Sequence, residues 1–248
     1  MSTLKRSLIV GALVILAVGG SALAWVWFSG GSGEPSTELT TPDIAGDTST
    51  TSVDIGSTTT GDPGETPRGV SFVIDASQSV ARFTLDEILR GDPNTVVGTT
   101  SEVAGQFVLD LDDLSATVFS PIVINARTLA TDSSTRDRVM RGPIILDSAN
   151  DEFEFITFEV TGVSGLEGPA VVGQELTFDL TGDLTIKGTT NEATFTVTAT
   201  LTDDDTVTGI AAAQVLRSDF GIDIPNVGSV AGVTDEVTIQ LEFTATLS

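Results

Sequence analysis

Residues 181–201 read TGDLTIKGTTNEATFTVTATL, two runs in which apolar and polar side chains alternate, joined by a Gly/Asn-containing turn. Successive side chains of a strand point to opposite faces, so Leu184 and Ile186, then Phe195, Val197, Ala199 and Leu201, share one face of a pleated sheet. That face must be covered, either by other parts of the protein or by a ligand.

The same alternation extends outward in both directions. It predicts strands near residues 71–74, 79–85, 95–99, 105–111, 116–126, 154–163, 174–186, 193–202, 206–216 and 236–247, the last carrying Val237, Ile239, Leu241, Phe243, Ala245 and Leu247 at every second position. Many strands joined by short turns imply an all-β antiparallel barrel or sandwich. Phe153 and Phe155 are out of phase with Ile156 and Phe158, which predicts a bulge or bend there. Ser134-Thr135-Arg136-Asp137 has the form of a capping box with Ser134 as N-cap, and Gly142-Pro143 ends the short helix it opens. That helix reads either as a charged connector or as a lid whose arginines meet a ligand.

Composition narrows the chemistry. The 248 residues contain no Cys and no His, which removes thiol nucleophiles, disulfides, imidazole bases and nearly all zinc or haem ligation. The formal charge is −24, and from residue 69 onward 28 acidic residues face 8 basic ones, a surface that repels nucleic acid. Only Lys5 and Lys187 are lysines, a pattern suited to a salty habitat or simply to a soluble exported domain. Asp203-Asp204-Asp205 lies between two strands and reads as a polar hairpin turn, without the ligand spacing of a calcium loop. No metal, cofactor or catalytic residue is predicted: Ser77, Ser79 and the Arg217-Ser218-Asp219-Phe220-Gly221 motif all lack a nucleophile paired with a base, and the motif reads as a strand-end turn.

The N-terminus suggests where the protein sits. Lys5 and Arg6 precede an uncharged apolar run at residues 7–28 that would extend roughly 33 Å as a helix, against a hydrocarbon core of about 30 Å. Residues 1–28 are therefore expected to be a single-pass anchor with a cytoplasmic N-terminus, or a signal peptide cleaved near Ala24. Trp25 and Trp27 beyond that site favour the anchor. Residues 29–69, rich in Ser, Thr, Gly, Pro and acids, cannot bury enough surface to order themselves and are expected to be a disordered linker spanning on the order of 35 Å. The domain at 70–248 is then exported.

Several segments of that domain, taken in order, resemble one family. They are Ile74-Asp75-Ala76-Ser77-Gln78-Ser79-Val80-Ala81-Arg82-Phe83, Gly105-Gln106-Phe107, a strand leading into Thr131-Asp132-Ser133-Ser134-Thr135-Arg136-Asp137, the aromatic stretch from Phe153 to Phe158, GDLTIKG from Gly182, LRSDFGI from Leu216 and DEVTIQLEF from Asp235. The chain is similar over about residues 70–248 to the YceI-like lipid/polyisoprenoid-binding family. That resemblance implies an extended, lipocalin-like antiparallel barrel of about eight strands around a long isoprenoid or quinone-like amphiphile, acting as a carrier or reservoir. The sequence departs from the family at Gln78 and Arg138, where many members carry His, so no headgroup role of those histidines transfers. Residues 86–102 also form a longer segment than is usual.

Within the matched strands, alternation selects Phe83, Phe107, Val118, Ile122, Ile124, Ile156, Phe158, Leu184, Phe195 and Val197 as apolar wall candidates, each of which is equally suited to ordinary core packing. Arg136, Arg138, Arg217 and Asp219 are the candidates for a headgroup or rim. The contrasting reading is a tethered interaction module whose barrel is filled by its own side chains. The long final strand could support a homodimer, though nothing in the sequence requires one.

Overall fold

A computed structural model describes residues 34–35, 39–44, 69–226, 228 and 230–248. The expected anchor or signal at 1–28, and most of the expected linker at 29–69, lie outside the described residues. Among the described residues no helix is long and apolar enough to cross a membrane. The chain forms β1 (Val70–Ile74), β2 (Val80–Leu89), β3 (Asp92–Thr100), β4 (Val103–Ala104), β5 (Gln106–Leu109), β6 (Val118–Phe119), β7 (Ile122–Asn125), helix α1 (Ser134–Arg141), β8 (Phe155–Ser164), β9 (Glu175–Ile186), β10 (Thr189–Asp203), β11 (Thr206–Leu216), β12 (Val230–Ala231) and β13 (Glu236–Leu247).

The β9–β10 hairpin shows how alternation becomes structure. Its register runs from Ile186↔Thr189 to Glu175↔Thr200, and the turn is Lys187-Gly188, both at positive φ (50° and 72°) as a two-residue hairpin turn of matching twist requires. Asn191, expected in the turn, lies within β10 opposite Leu184. Leu184, Ile186, Phe195 and Val197 are buried. On the outer face threonine hydroxyls pair across the strands, Thr181 with Thr194 at 3.0 Å and Thr185 with Thr190 at 2.7 Å.

Pairing then carries the sheet around. β7, β8, β9, β10, β11 and β13 are successive antiparallel neighbours. The second edge of β13 is shared: Thr238–Glu242 pairs β2, and Ala245–Leu247 pairs β1. β1 and β2 thus act as halves of one bent strand, hinged at a 3-10 turn (Ala76–Gln78) where Asp75 accepts hydrogen bonds from Ser77 N, Ser77 Oγ and Gln78 Nε2. Those bonds hold the Asp75 carboxyl below the usual carboxylate range. Residues 103–109 complete the circuit, because β5 pairs β1 while β4, one residue earlier, pairs β7. The result is the expected all-β fold, a curled antiparallel sheet with one short helix. Both edges of β13 are occupied, one by β11 and the other by β1 with β2.

Two segments depart from the expected strands. Residues 116–126 were expected to be continuous, but Ser120-Pro121 separates β6 from β7. Pro121 has no N–H to donate, and Ser120 is buried with its N–H bonded to Gln106 O and its Oγ accepting from Gln106 N, so the chain jogs and the alternation changes phase. Phe153 belongs to a 3-10 turn (Asp151–Phe153) that precedes β8, and the irregularity of that strand falls later, between Val160 and Gly162. At this bulge Gly182 pairs with Val160, and a Cβ on Gly182 would sit 2.2 Å from the carbonyl oxygen of Glu159. The unusually long segment at 86–102 is the outer half of the β2–β3 hairpin, where Phe83 covers Gly98 so closely that a Cβ there would lie 2.1 Å from the ring.

One end of the curled sheet is closed by the segment between β7 and β8. Arg127 and Glu154, 6% and 3% exposed, form an ion pair at 2.8 Å. Arg127 also donates to the carbonyls of Ser148 and Ala149 and to Asp151, while Asn125 Nδ2 donates to Glu154. Every donor of the guanidinium group faces an acceptor, which is the condition under which a buried charge is tolerated. Helix α1 lies over the same end, with Ser133 rather than Ser134 as N-cap, and Asp137 is buried, accepting from Thr131 N and Oγ1 at 2.7 Å each. Fragments of the linker touch the domain here and nearby: Arg127 Nη1 donates to Glu34 O, and Gln106 Nε2 to Pro42 O.

Arg127→Ala is expected to remove the guanidinium counter-charge of the buried Glu154 and to cost about 3–5 kcal/mol, measured as a lower urea midpoint at unchanged slope, while Arg127→Met with Glu154→Leu recovers most of the loss. Gly182→Ala is expected to destabilise by about 2–3 kcal/mol, because the clash is with backbone and cannot be relieved by a rotamer change. A Gly182→Ala melting temperature equal to that of the parent would contradict the assigned close approach.

Candidate functional site: an apolar cavity inside the sheet

The inner face of the sheet encloses a cavity of about 140 Å³ with no charged side chain in its lining. β9 and β10 contribute Phe178, Leu180, Leu184, Phe195 and Val197, and the facing wall comes from Phe107, Ile122, Ile124, Ile156 and Phe158. Phe158 and Phe195 meet edge to face with ring centroids 4.7 Å apart, and Phe107 stacks on Phe72 at 5.5 Å. β13 adds Ile239, Leu241 and Phe243, which the site prediction omitted although the alternation of that strand displays them.

Eight of the ten predicted wall residues line this cavity: Phe107, Ile122, Ile124, Ile156, Phe158, Leu184, Phe195 and Val197. Phe83 does not, because its ring is spent covering Gly98. Val118 does not either; the break at Ser120-Pro121 places its neighbours Thr117 and Phe119 in the lining. The sequence signal that would have found them is Pro121, which forbids carrying one alternation through the whole segment.

The headgroup candidates are absent from the lining and serve the closed end. Arg136 pairs with Glu87 at 3.1 Å and with Asp132, tying α1 to the β2–β3 hairpin. Arg138 is exposed on α1. Arg217 donates to the carbonyls of Ile222 at 2.7 Å and Thr234 at 3.1 Å, and so staples the long connection between β11 and β13. Asp219 is exposed, and its carbonyl accepts from Asn191. Arg217 Nε also pairs with Asp235 at 3.9 Å, and Asp235 accepts from Ser218, whose hydrogen bond draws the Asp235 carboxyl below its usual range.

The opposite end is the mouth. Three loops meet there: Leu114 N–H donates to Gly168 O at 2.8 Å, Ala170 N–H to Leu111 O at 2.9 Å, and Gly173 N–H to Leu201 O at 2.8 Å. Leu114, Leu166, Ala170 and Val171 extend the apolar lining to the rim, and Val171 and Val172 are about half exposed. At the neighbouring β10–β11 turn, the side-chain hydrogen bond with Asp203 and the nearness of its charge raise the Asp205 carboxyl above the usual range. Such a site can shelter a hydrocarbon; it offers no group that would activate a nucleophile.

Comparison with known proteins places this geometry. A family model described as YceI-like domain matches residues 72–245. Two UPF0312 proteins of Staphylococcus aureus, from strains N315 and Mu50, are each 27% identical over 184 residues, covering 72% of this chain and 97% of theirs. Among solved structures, BcnA of Burkholderia cenocepacia gives a TM-score of 0.54 at 20% identity, over 70% of this chain and 99% of BcnA. A polyisoprenoid binding domain from Saccharophagus degradans, implicated in plant cell wall breakdown, gives 0.56 at 12% identity, over 72% and 99%. At these identities the structural likeness speaks to the fold. The family match, covering nearly all of the curled sheet from β1 to β13, carries the assignment: the chain belongs to the YceI-like domain family.

Proposed function

We propose that this protein is an exported, membrane-tethered carrier or reservoir that holds a long-chain isoprenoid or quinone-like amphiphile inside its barrel, without catalysing a reaction. The observation that carries this reading is the uncharged, almost wholly apolar lining that runs from Leu184 to the mouth at Leu114 and Val171. Family membership supports it, as does the likeness in fold to the polyisoprenoid binding domain of Saccharophagus degradans. Export and tethering rest on the apolar run at residues 7–28 and its flanking charges.

The volume sets a condition on the mechanism. A cavity of this size holds a group of about benzene dimensions while its walls stay in place, so a chain of several isoprene units enters only as lining side chains turn aside. The same modest volume favours the contrasting reading of an interaction module with a filled interior. Organic extraction of the chain purified from its native host, followed by mass spectrometry, separates the two. The carrier reading expects a long-chain lipid near one equivalent per protein; a lipid-free protein that takes up no added isoprenoid would end it. Ala211→Phe places a ring in the cavity opposite Val197, and is expected to abolish lipid recovery while leaving the circular dichroism spectrum of the sheet unchanged.

A further inference from the structure

The mouth of the cavity carries charge of one sign. Its loops and the adjoining β10–β11 turn present Asp112, Asp113, Glu167, Asp203, Asp204 and Asp205, all exposed, and residues 110–117, 165–174 and 203–206 contain no lysine or arginine. The arginines that the sequence offered as headgroup partners are committed to the far end, where Arg136 and Arg217 bind carboxylates and carbonyls. Among the described residues an anion arriving at this mouth finds no cation, and within roughly 10 Å it meets the field of several carboxylates.

One polar atom at the mouth lacks a partner. Thr117 follows the 3-10 turn (Leu114–Ala116), lines the cavity and is 8% exposed, and its Oγ1 is buried without a hydrogen bond. Buried hydroxyls are ordinarily satisfied, and an orphan among them calls for a reason. Rotation about χ1 carries Oγ1 between staggered positions, so this hydroxyl can turn to meet an oxygen entering the cavity. It is neutral, and can donate to or accept from an alcohol, or donate to a carbonyl or ester.

We infer that the cavity selects amphiphiles with an uncharged oxygen head, hydrogen-bonded by Thr117 at the mouth, and that the carboxylate rim turns away phosphate and carboxylate heads. This rests on the carrier reading of the cavity and adds its ligand class. Phosphate recognition draws on bidentate arginine, lysine or the N-terminus of a full helix, and the described residues at this mouth supply none of them. The acids therefore act as a filter rather than as a binding site, and Thr117 supplies the positive recognition.

Calorimetric titration of the full chain with geranylgeraniol and with geranylgeranyl monophosphate tests the inference, since the two probes share one hydrocarbon chain. At about 20 mM NaCl the alcohol is expected to bind at least about tenfold more tightly, with the gap narrowing at about 1 M NaCl as the rim is screened. Asp112→Asn, Glu167→Gln and Asp204→Asn combined are expected to strengthen phosphate binding. Thr117→Val is expected to weaken alcohol binding about fivefold while raising the melting temperature, because the unpartnered hydroxyl is gone, and Thr117→Ser restores the affinity. Equal binding of the two probes, or tighter binding of the phosphate, overturns the inference and leaves the carrier reading standing. An alcohol affinity unchanged in Thr117→Val overturns the role of Thr117. Binding of neither probe overturns the carrier reading and this inference together.

Discussion

When a sheet with alternating apolar and polar residues curls until one segment bridges its two ends, its apolar side chains have one destination, the interior they jointly enclose. The closure here depends on residues 103–109, which hold β7 through Val103 and Ala104 and hold β1 through residues 106–109. Gly105 lies at the switch, where a Cβ would sit 2.5 Å from Ile122. Without that seven-residue bridge the inner face of β1 and the inner face of β7 would be open edges, and the cavity between Phe107, Phe158 and Phe195 would be a groove exposed to water.

The interior is not uniform along its axis. Towards the closed end Met140 and Leu146 fill the space and the Arg127–Glu154 pair backs them. Towards the mouth the lining passes to Leu109, Phe119, Leu176, Leu201 and Val207, with Ala170 and Ala199 between them. The connection between β7 and β8 with helix α1 thus forms the floor of the pocket, and the loops at the other end form its mouth. An ion pair buried in the floor is a poor source of net stability, but it fixes the position of the long connection between β7 and β8 because removing either partner strands the other.

Alternation made most of this legible. β11 and β13 have the predicted bounds of 206–216 and 236–247, and the inward set of β9 and β10 was readable from 181–201 alone. What alternation does not encode is where a strand bends. Ser77 and Gln78 gave no periodic signal that β1 and β2 share one edge of β13, and the jog at Ser120-Pro121 moved Val118 out of the lining and Thr117 into it. Charged residues were harder still. Arg217 and Arg136 stand in recognisable motifs, but a motif does not say at which end of the sheet it lies. That depends on whether its strand runs toward the mouth or the floor, and hence on the register of the whole sheet.

The direction of the strands also explains how the charge came to be divided. β11 ends at the floor, so the RSDFG turn and its arginine belong there; β10 ends at the mouth, so the turn at Asp203–Asp205 belongs at the other end. With eight basic residues in the domain against 28 acidic ones, placing arginines at the floor leaves few for the rim. The floor needs them: its carbonyls and the buried carboxylates Glu87 and Glu154 are satisfied by Arg127, Arg136, Arg141 and Arg217. Anion discrimination at the mouth is then a consequence of how the floor is held together, since moving an arginine to the rim would leave a buried acceptor without its donor.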